Sequence, residues 1–221
     1  MTPRVHDEWA RRVAAEYGSA AIAAQVLTWG IQAGLPPALL HTAARIVRDE
    51  LDHAAIAHSC LATLSDLGGA DTPIDLAPEH LTVPQGSGLV ADLTRAVVRN
   101  FCIGETLAVP YFAAMRKSCT HPEAAAALER ILADEAVHRA FGWDALDALI
   151  DLDPAVAPFV SAALPELRAT FAGYAAPPDA PPLSVEERAC GLIDHADYAS
   201  LFTQVWTEDI AVRFARRGIA A

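Results

Sequence analysis

Basic residues are scarce in this chain: 16 Lys and Arg stand against 28 Asp and Glu, a formal net charge of −12. No positive stripe runs along any segment, which excludes the phosphate-tracking surface of a nucleic-acid binder. Most of the acidic excess reads as solvated surface, and the rest is available to bind cations. Strand-type alternation is missing, since β-branched and aromatic residues never alternate with polar ones over a useful stretch. No segment offers roughly 18 uncharged apolar residues, so no membrane-spanning helix is predicted. The N-terminal stretch carries Asp7, Glu8, Arg11 and Arg12 and lacks the apolar run of a signal peptide, so a soluble, cytoplasmic protein is expected. Cysteine is limited to Cys60, Cys102, Cys119 and Cys190, none in C-x-x-C spacing, and these read as small core residues in a reducing compartment.

What is present is helix-forming. The hydrophobic fraction is 53%, dominated by Ala, which rules out disorder; Ala, Leu, Arg and Glu recur with helical spacing. The fold class is all-α, and 221 residues suffice for one large helical domain spanning the whole chain. Four long helices are predicted. The first runs from about Val5 to Ala33, ended by Gly34 and the Pro36–Pro37 pair, and the second continues to about Asp66. The third covers about Leu89 to Ser118, and the fourth about Thr120 to Ile150, opened by a capping box of Thr120 and Glu123. Asp153-Pro154 starts a shorter helix interrupted near Pro165. Ser184 and Glu187 suggest a capping box for a last long helix reaching about Arg217. Together these form two additional C-terminal helices, a 151–221 extension on a 5–150 core.

Short links make helices one and two, and three and four, antiparallel hairpins. The link between helices two and three, residues 68–88, is rich in Pro and Gly. At about 3.3 Å per residue its about 20 residues reach roughly 66 Å. A 30-residue helix is only about 45 Å long at 1.5 Å rise. One long crossover therefore joins the hairpins. A gapless internal repeat supports two related hairpins: Arg45-Ile-Val-Arg-Asp-Glu-Leu-Asp-His53 matches Arg130-Ile-Leu-Ala-Asp-Glu-Ala-Val-His138.

Each repeat holds Glu and His three residues apart: Glu50 with His53, Glu135 with His138. On a helix that spacing puts a carboxylate and an imidazole on one face, able to share a metal ion. Chance would give roughly 0.03 copies of D-E-x-x-H in such a composition (a false-positive estimate in the sense of), and the chain has it twice. Counting from the turns, Glu16 and Glu105 on the partner helices fall at the same level of the bundle. Both stand among apolar or small neighbours, where an unpaired Glu would cost several kcal/mol. Metal ligation removes that cost.

Glu, E-x-x-H, Glu, E-x-x-H on four successive helices resembles the ferritin-like di-iron carboxylate proteins. The match covers residues 5–150. The resemblance implies a ferritin-like four-helix bundle and two iron ions, with Mn/Fe or Mn as variants. Glu16, Glu50 and His53 would serve one ion and Glu105, Glu135 and His138 the other, with Glu50 and Glu135 bridging. It also implies that Asp49 accepts a hydrogen bond from His138, and Asp134 from His53, which fixes the imidazole tautomers. The chain departs from the common D-E-x-R-H form, because Asp52 and Val137 stand at the Arg position. Dioxygen is the implied co-substrate, a small organic molecule the substrate, and a ferredoxin or flavoprotein the electron donor; a homodimer is among the assemblies allowed. The leading expectation is a di-iron oxygenase (a monooxygenase among them) or oxidase. A ferroxidase or iron-storage protein and a rubrerythrin-like peroxide reductase are the alternatives.

Other features read as structural first. Tyr17 and Tyr111 are core aromatics, with a radical role as the alternative. Trp9, Trp29, Trp143 and Trp206 read as packing. Asp194, His195, Asp197, Glu208 and Asp209 form a capped, solvated face, with an extra metal ligand as the alternative. Ala20, Ala23 and Gly142 either leave room for a substrate or let helices approach closely.

Overall fold

The computed structural model describes residues 2–64, 76, 81–174 and 181–220, which contain helices and no strand. Helix α1 (Pro3–Ala33) and α2 (Pro37–Leu64) form the first hairpin. Thr2 Oγ1 accepts from the Val5 amide at 3.4 Å to cap α1, with Pro3 at the first helical position. At the other end Gly34 turns left-handed at φ 75°, a conformation that favours glycine. Helix α3 (Leu89–Ala96), a π-helical stretch (Val97–Gly104) and α4 (Glu105–Ser118) follow one another without a break and pack along α5 (Pro122–Leu152). Helix α6 (Val156–Gly173), α7 (Val185–Ala189), α8 (His195–Val205), a second π-helical turn (Trp206–Ile210) and α9 (Ala211–Ala215) complete the chain.

Cross-helix pairs give the topology. His53 of α2 meets Asp134 of α5, while Asp49, one turn earlier on α2, meets His138, one turn later on α5. The two helices are therefore antiparallel. Because α5 also returns antiparallel to α4 across a short turn, α2 and the α3–α4 rod run parallel. Leu64 and Leu89 therefore stand toward opposite ends of the bundle, and of the predicted crossover the residues 65–75 and 77–80 lie outside the described residues. The fold is all-α and ferritin-like, with the one-crossover connectivity.

The core is split in two by a polar layer. One apolar cluster contains Val5, Trp9, Val13, Ala57, Leu61 and Leu128. The other contains Ala23, Val26, Ile46, Phe101, Phe141 and Leu146. Between them Glu16, Glu50, His53, Asp134, Glu135 and His138 are buried. The larger cluster also takes in Val156, Val160, Leu164, Phe202, Trp206 and Phe214, so the C-terminal helices share a core with the bundle. At about 25 cal/mol per Å² of apolar surface removed from water, both clusters stabilise the bundle against the cost of its polar middle.

The π-helical stretch ends immediately before Glu105, whose amide donates to the Asn100 carbonyl five residues back. Opposite it, α5 comes so close at Gly142 that a Cβ there would lie 2.5 Å from the Phe101 carbonyl carbon. Of the two readings of Gly142, close helix approach is the one the structure shows. The Cys102 thiol donates to the Gly142 carbonyl at 3.1 Å across the same contact.

Three local expectations are corrected. Helix α5 is not opened by a Thr120–Glu123 box: His121 is the cap residue, without a side-chain hydrogen bond, and Pro122 occupies the first turn. Its Pro there already removes one of the amides a cap would serve. Pro165 does not interrupt α6, because Val160 and Leu164 anchor the helix on the core beside it. The Ser184–Glu187 capping box is present but opens only the short α7. Gly191 at φ 84° breaks the expected long helix, and Asp194 restarts it while accepting from the Leu183 amide at 2.7 Å and from Arg188.

Candidate metal centre

The polar layer is built by four helices, each presenting its residues on one inward face. Helix α1 brings Glu16, α2 brings Glu50 and His53, α4 brings Glu105 at its first position, and α5 brings Glu135 and His138. All six are at most 9% exposed, and both histidines are fully buried. The structure thus gathers every residue expected from the sequence at this level. Ligand-capable atoms of Glu16, Glu50 and His53 lie within 4.8 Å of one another, and so do those of Glu50, Glu105 and His138. Glu50 belongs to both groups: its Oε1 is 3.2 Å from His138 Nδ1 and its Oε2 is 3.4 Å from His53 Nδ1. Glu135 lies beside them, with Oε2 3.5 Å from His138 Nδ1 and a hydrogen bond to Glu105. The two imidazole rings are 5.8 Å apart.

The far side of each imidazole faces an aspartate. His53 Nε2 lies 3.1 Å from Asp134 Oδ2, and His138 Nε2 lies 3.6 Å from Asp49 Oδ2. A carboxylate can only accept, so the hydrogen bond to Asp134 puts the His53 proton on Nε2 and leaves its Nδ1 a lone pair, whereas the His138 contact with Asp49 is longer than a hydrogen bond. That lone pair points at carboxylate oxygens, which are also acceptors. Acceptors facing acceptors in a buried site are reconciled only by a cation or by protons between them. Both Nδ1 atoms, His138 Nε2 and the Oε2 atoms of Glu50 and Glu135 have no hydrogen-bond partner, the sign of an unmet demand. An oxygen-rich set with two imidazoles suits iron or manganese, so the residues fit the metals they were expected to hold.

The titration directions describe the same demand in the protein without metal. Burial, then the Glu50 charge, raises Glu16 well above the usual carboxylate range. Burial and the Glu135 charge do the same to Glu105, and burial raises Glu135. Burial opposes ionisation of Glu50 as well, but the imidazoles of His138 and His53 beside it hold it down at about 2. His138 is raised: burial disfavours its charged form, but Glu50 outweighs that. Protons stand where cations are accommodated.

Two residues that matter here were missed in the sequence. Arg45 Nε is 3.0 Å from Asp49 Oδ2 and its Nη2 is 3.4 Å from Asp134 Oδ1, while Arg130 pairs with Asp134 directly. They stand on the outer side of the two aspartates that face the imidazoles. Their recurrence four residues before each Asp of the internal repeat was the available signal.

A cavity of about 1020 Å³ opens onto Glu16, Glu50, Glu105 and Glu135 and continues outward between the bundle and the C-terminal segments. Tyr111 and Tyr198 stack in its wall at 4.1 Å, and the Tyr111 hydroxyl donates to the Tyr198 carbonyl at 3.3 Å. Tyr111 is therefore a packed aromatic with a partner. His195 also lines the cavity but lies outside both metal-capable groups. Asp194 serves as the cap already described, and Asp209 and Glu208 pair with Arg213 and Gln204 on the outer face. The four cysteines are free thiols, three of them buried, and no described helix is long and apolar enough to cross a membrane.

No family model and no curated protein matches this chain. Among solved structures, a chain titled protein 19 with aldehyde deformylating oxidase activity, from Synechococcus, superposes with a TM-score of 0.56 at 18% sequence identity. The superposition covers 96% of this chain and 95% of that one, including the C-terminal helices as well as the bundle. At that identity the likeness speaks for the fold.

Proposed function

We propose that this chain is a non-haem di-iron oxidoreductase, an oxygenase or oxidase that reacts with dioxygen to oxidise a small organic substrate. The observation that carries the reading is the pair of imidazole Nδ1 atoms facing a buried, shared carboxylate, Glu50, at 3.2 and 3.4 Å. Glu16, Glu50 and His53 would hold one ion, and Glu105, Glu135 and His138 the other. When bound, two ferrous ions supply the electrons that dioxygen chemistry needs, and a neighbouring ferredoxin or flavoprotein replenishes them.

The chain's own residues set the conditions for that chemistry. Four carboxylates neutralise two divalent ions, so a bound cluster carries no net charge into the apolar core. Asp134 keeps His53 Nε2 protonated and so keeps its Nδ1 available, and Asp49 stands 3.6 Å from His138 Nε2. The flanking apolar clusters keep bulk water away, and the cavity leaves one open side toward the carboxylates. An organic-sized space at that position favours oxidation of a substrate over iron storage or peroxide reduction, neither of which requires it. It also gives the C-terminal segments a part in the same functional unit, because Phe171, Tyr174, Leu192, His195 and Tyr198 line the cavity.

Anaerobic loading with Fe(II), metal counting and exposure to dioxygen test the reading. About two ions per chain and an oxygen-dependent optical change are expected, and His138→Ala should lose the change while keeping its helical far-UV signal. Retention of no iron after loading would remove the proposal.

A further inference from the structure

Arg12 lies one helical turn before Glu16 on α1 and lines the same cavity, yet it is only 6% exposed. Its guanidinium sits 4.3 Å from the Trp9 ring centre and 5.7 Å from that of Phe112. Nη2 is 3.3 Å from Glu8 Oε1 and 3.2 Å from Met115 Sδ. Nη1 is buried with no partner at all. A guanidinium is a permanent cation whose N–H groups can only donate, and leaving one buried and unpaired is costly.

The local charges do not meet that demand. Glu8 is shared, since Arg11 also pairs with it, so one carboxylate serves two guanidinium groups. Glu16, the next acid along the helix, is turned toward His53 and Glu50. Arg12 thus has Glu8 as its ion-pair partner, while its Nη1 is left without an acceptor. On α1 the wall also carries Arg4, Asp7, Glu8 and Arg11, and elsewhere it presents the apolar or aromatic Leu107, Ala108, Tyr111, Phe112 and Phe171.

We propose that the cavity takes a small organic carboxylate whose charged end is received by Arg12 and whose apolar or aromatic body reaches toward Glu16 and the metal centre. Arg12 and Glu16 are four residues apart on α1, about 6 Å along the axis at 1.5 Å per residue. One ring or a short aliphatic chain spans that distance and sets its far end against the carboxylate cluster. The net charge of −12 repels anions at long range, so capture depends on this local contact. A neutral analogue of the same shape leaves Nη1 unpaired, and a site built to donate to a charged group discriminates strongly against it. The inference rests on the di-iron reading for the fate of the bound anion, but not for its binding.

Isothermal titration of the Fe(II)-loaded protein under argon, with benzoate and hexanoate against benzyl alcohol and hexanol, tests it. Wild type should prefer each carboxylate over its alcohol. Arg12→Gln should weaken the carboxylates by about 10- to 100-fold, the range for a hydrogen bond to a charged group, and leave the alcohols within about twofold. Arg12→Lys keeps the charge but loses the planar fork, and should fall between the two. Should the Gln variant fail to fold, the wild-type preference and the Lys variant still decide. Absence of a carboxylate preference in wild type would overturn the proposal. So would carboxylate binding that survives in Arg12→Gln, because the anion would then sit on the metals or elsewhere. The metal count is measured separately: a chain that holds no iron but keeps an Arg12-dependent preference would remove the di-iron reading and uphold this one.

Discussion

His53 of α2 and Asp134 of α5 meet across the centre of the bundle, with Nε2 3.1 Å from Oδ2. The contact joins the two copies of the internal repeat and fixes which imidazole nitrogen faces the carboxylates. Asp134→Asn preserves the shape but offers an amide that can flip and donate, so the preferred tautomer is lost. Metal affinity should fall by roughly 10- to 100-fold. Asp151, exposed and outside the site, is the control and should tolerate the same change. Competition with a chelator reads both affinities, and equal losses at the two positions would mean that net charge governs binding.

Arg130 and Arg45 act one step further out, and their side chains are 41% and 46% exposed. Solvent screens such pairs, so removing one alone should have a small effect. The double variant Arg45→Gln/Arg130→Gln frees Asp134 of both partners and should weaken metal binding by more than the two single effects combined. A double-mutant cycle on metal affinity measures the difference, and strict additivity would show that the arginines do not act through a shared aspartate.

Metal and proton compete for one set of atoms. In the folded, metal-free chain Glu16, Glu105, Glu135 and His138 all hold protons to higher pH than they do unfolded. The native state then binds more protons than the unfolded state above the ordinary carboxylate value of 4.5, and its stability falls as pH rises through that window. Glu50 works the other way, contributing stability above 4.5 that is lost as pH falls toward about 2. Melting curves of metal-free protein should therefore show higher stability in mild acid than at neutral pH. Metal affinity should rise with pH, with proton release on loading near neutrality, detectable with an indicator dye in weak buffer. Loading without proton release would contradict the protonated cluster.

Gly142→Ala should destabilise the bundle by about 1–3 kcal/mol, the range for overpacking a tight contact. The added methyl would meet the backbone of Phe101 and Cys102, which cannot rotate aside as a side chain tip would. Because the π-helical stretch that yields leads directly into Glu105, metal affinity should fall as well. A variant with unchanged melting temperature would show that the helices separate freely there.

Much of this site is legible in the sequence because helical geometry is local. Glu50 and His53 must share a face whatever surrounds them, and so must Glu135 and His138. Placing Glu16 and Glu105 needed only counting from the turns. What escaped depends on contacts between distant segments. The π-helical stretch answers to Gly142, the break at Gly191 to a change of direction held by Asp194, and the continuity of α6 through Pro165 to the core beneath it. Arg12 is visible in the sequence only as a neighbour of Glu16; its unpaired Nη1 appears once Trp9, Phe112 and Met115 close around it.

The π-helical stretch also has a bearing on descent. A π turn contains more residues than an α turn, so it is the mark left when a helix absorbs an insertion without shedding its neighbours. Excising one residue between Val97 and Gly104 should let the segment relax to α-helix while everything after it keeps its register. Glu105 would stay in the cluster, one position earlier in the chain. Ancestors or cousins with a plain helix here would align with this chain only across a gap ahead of Glu105, and their carboxylate would stand at a different count from the turn.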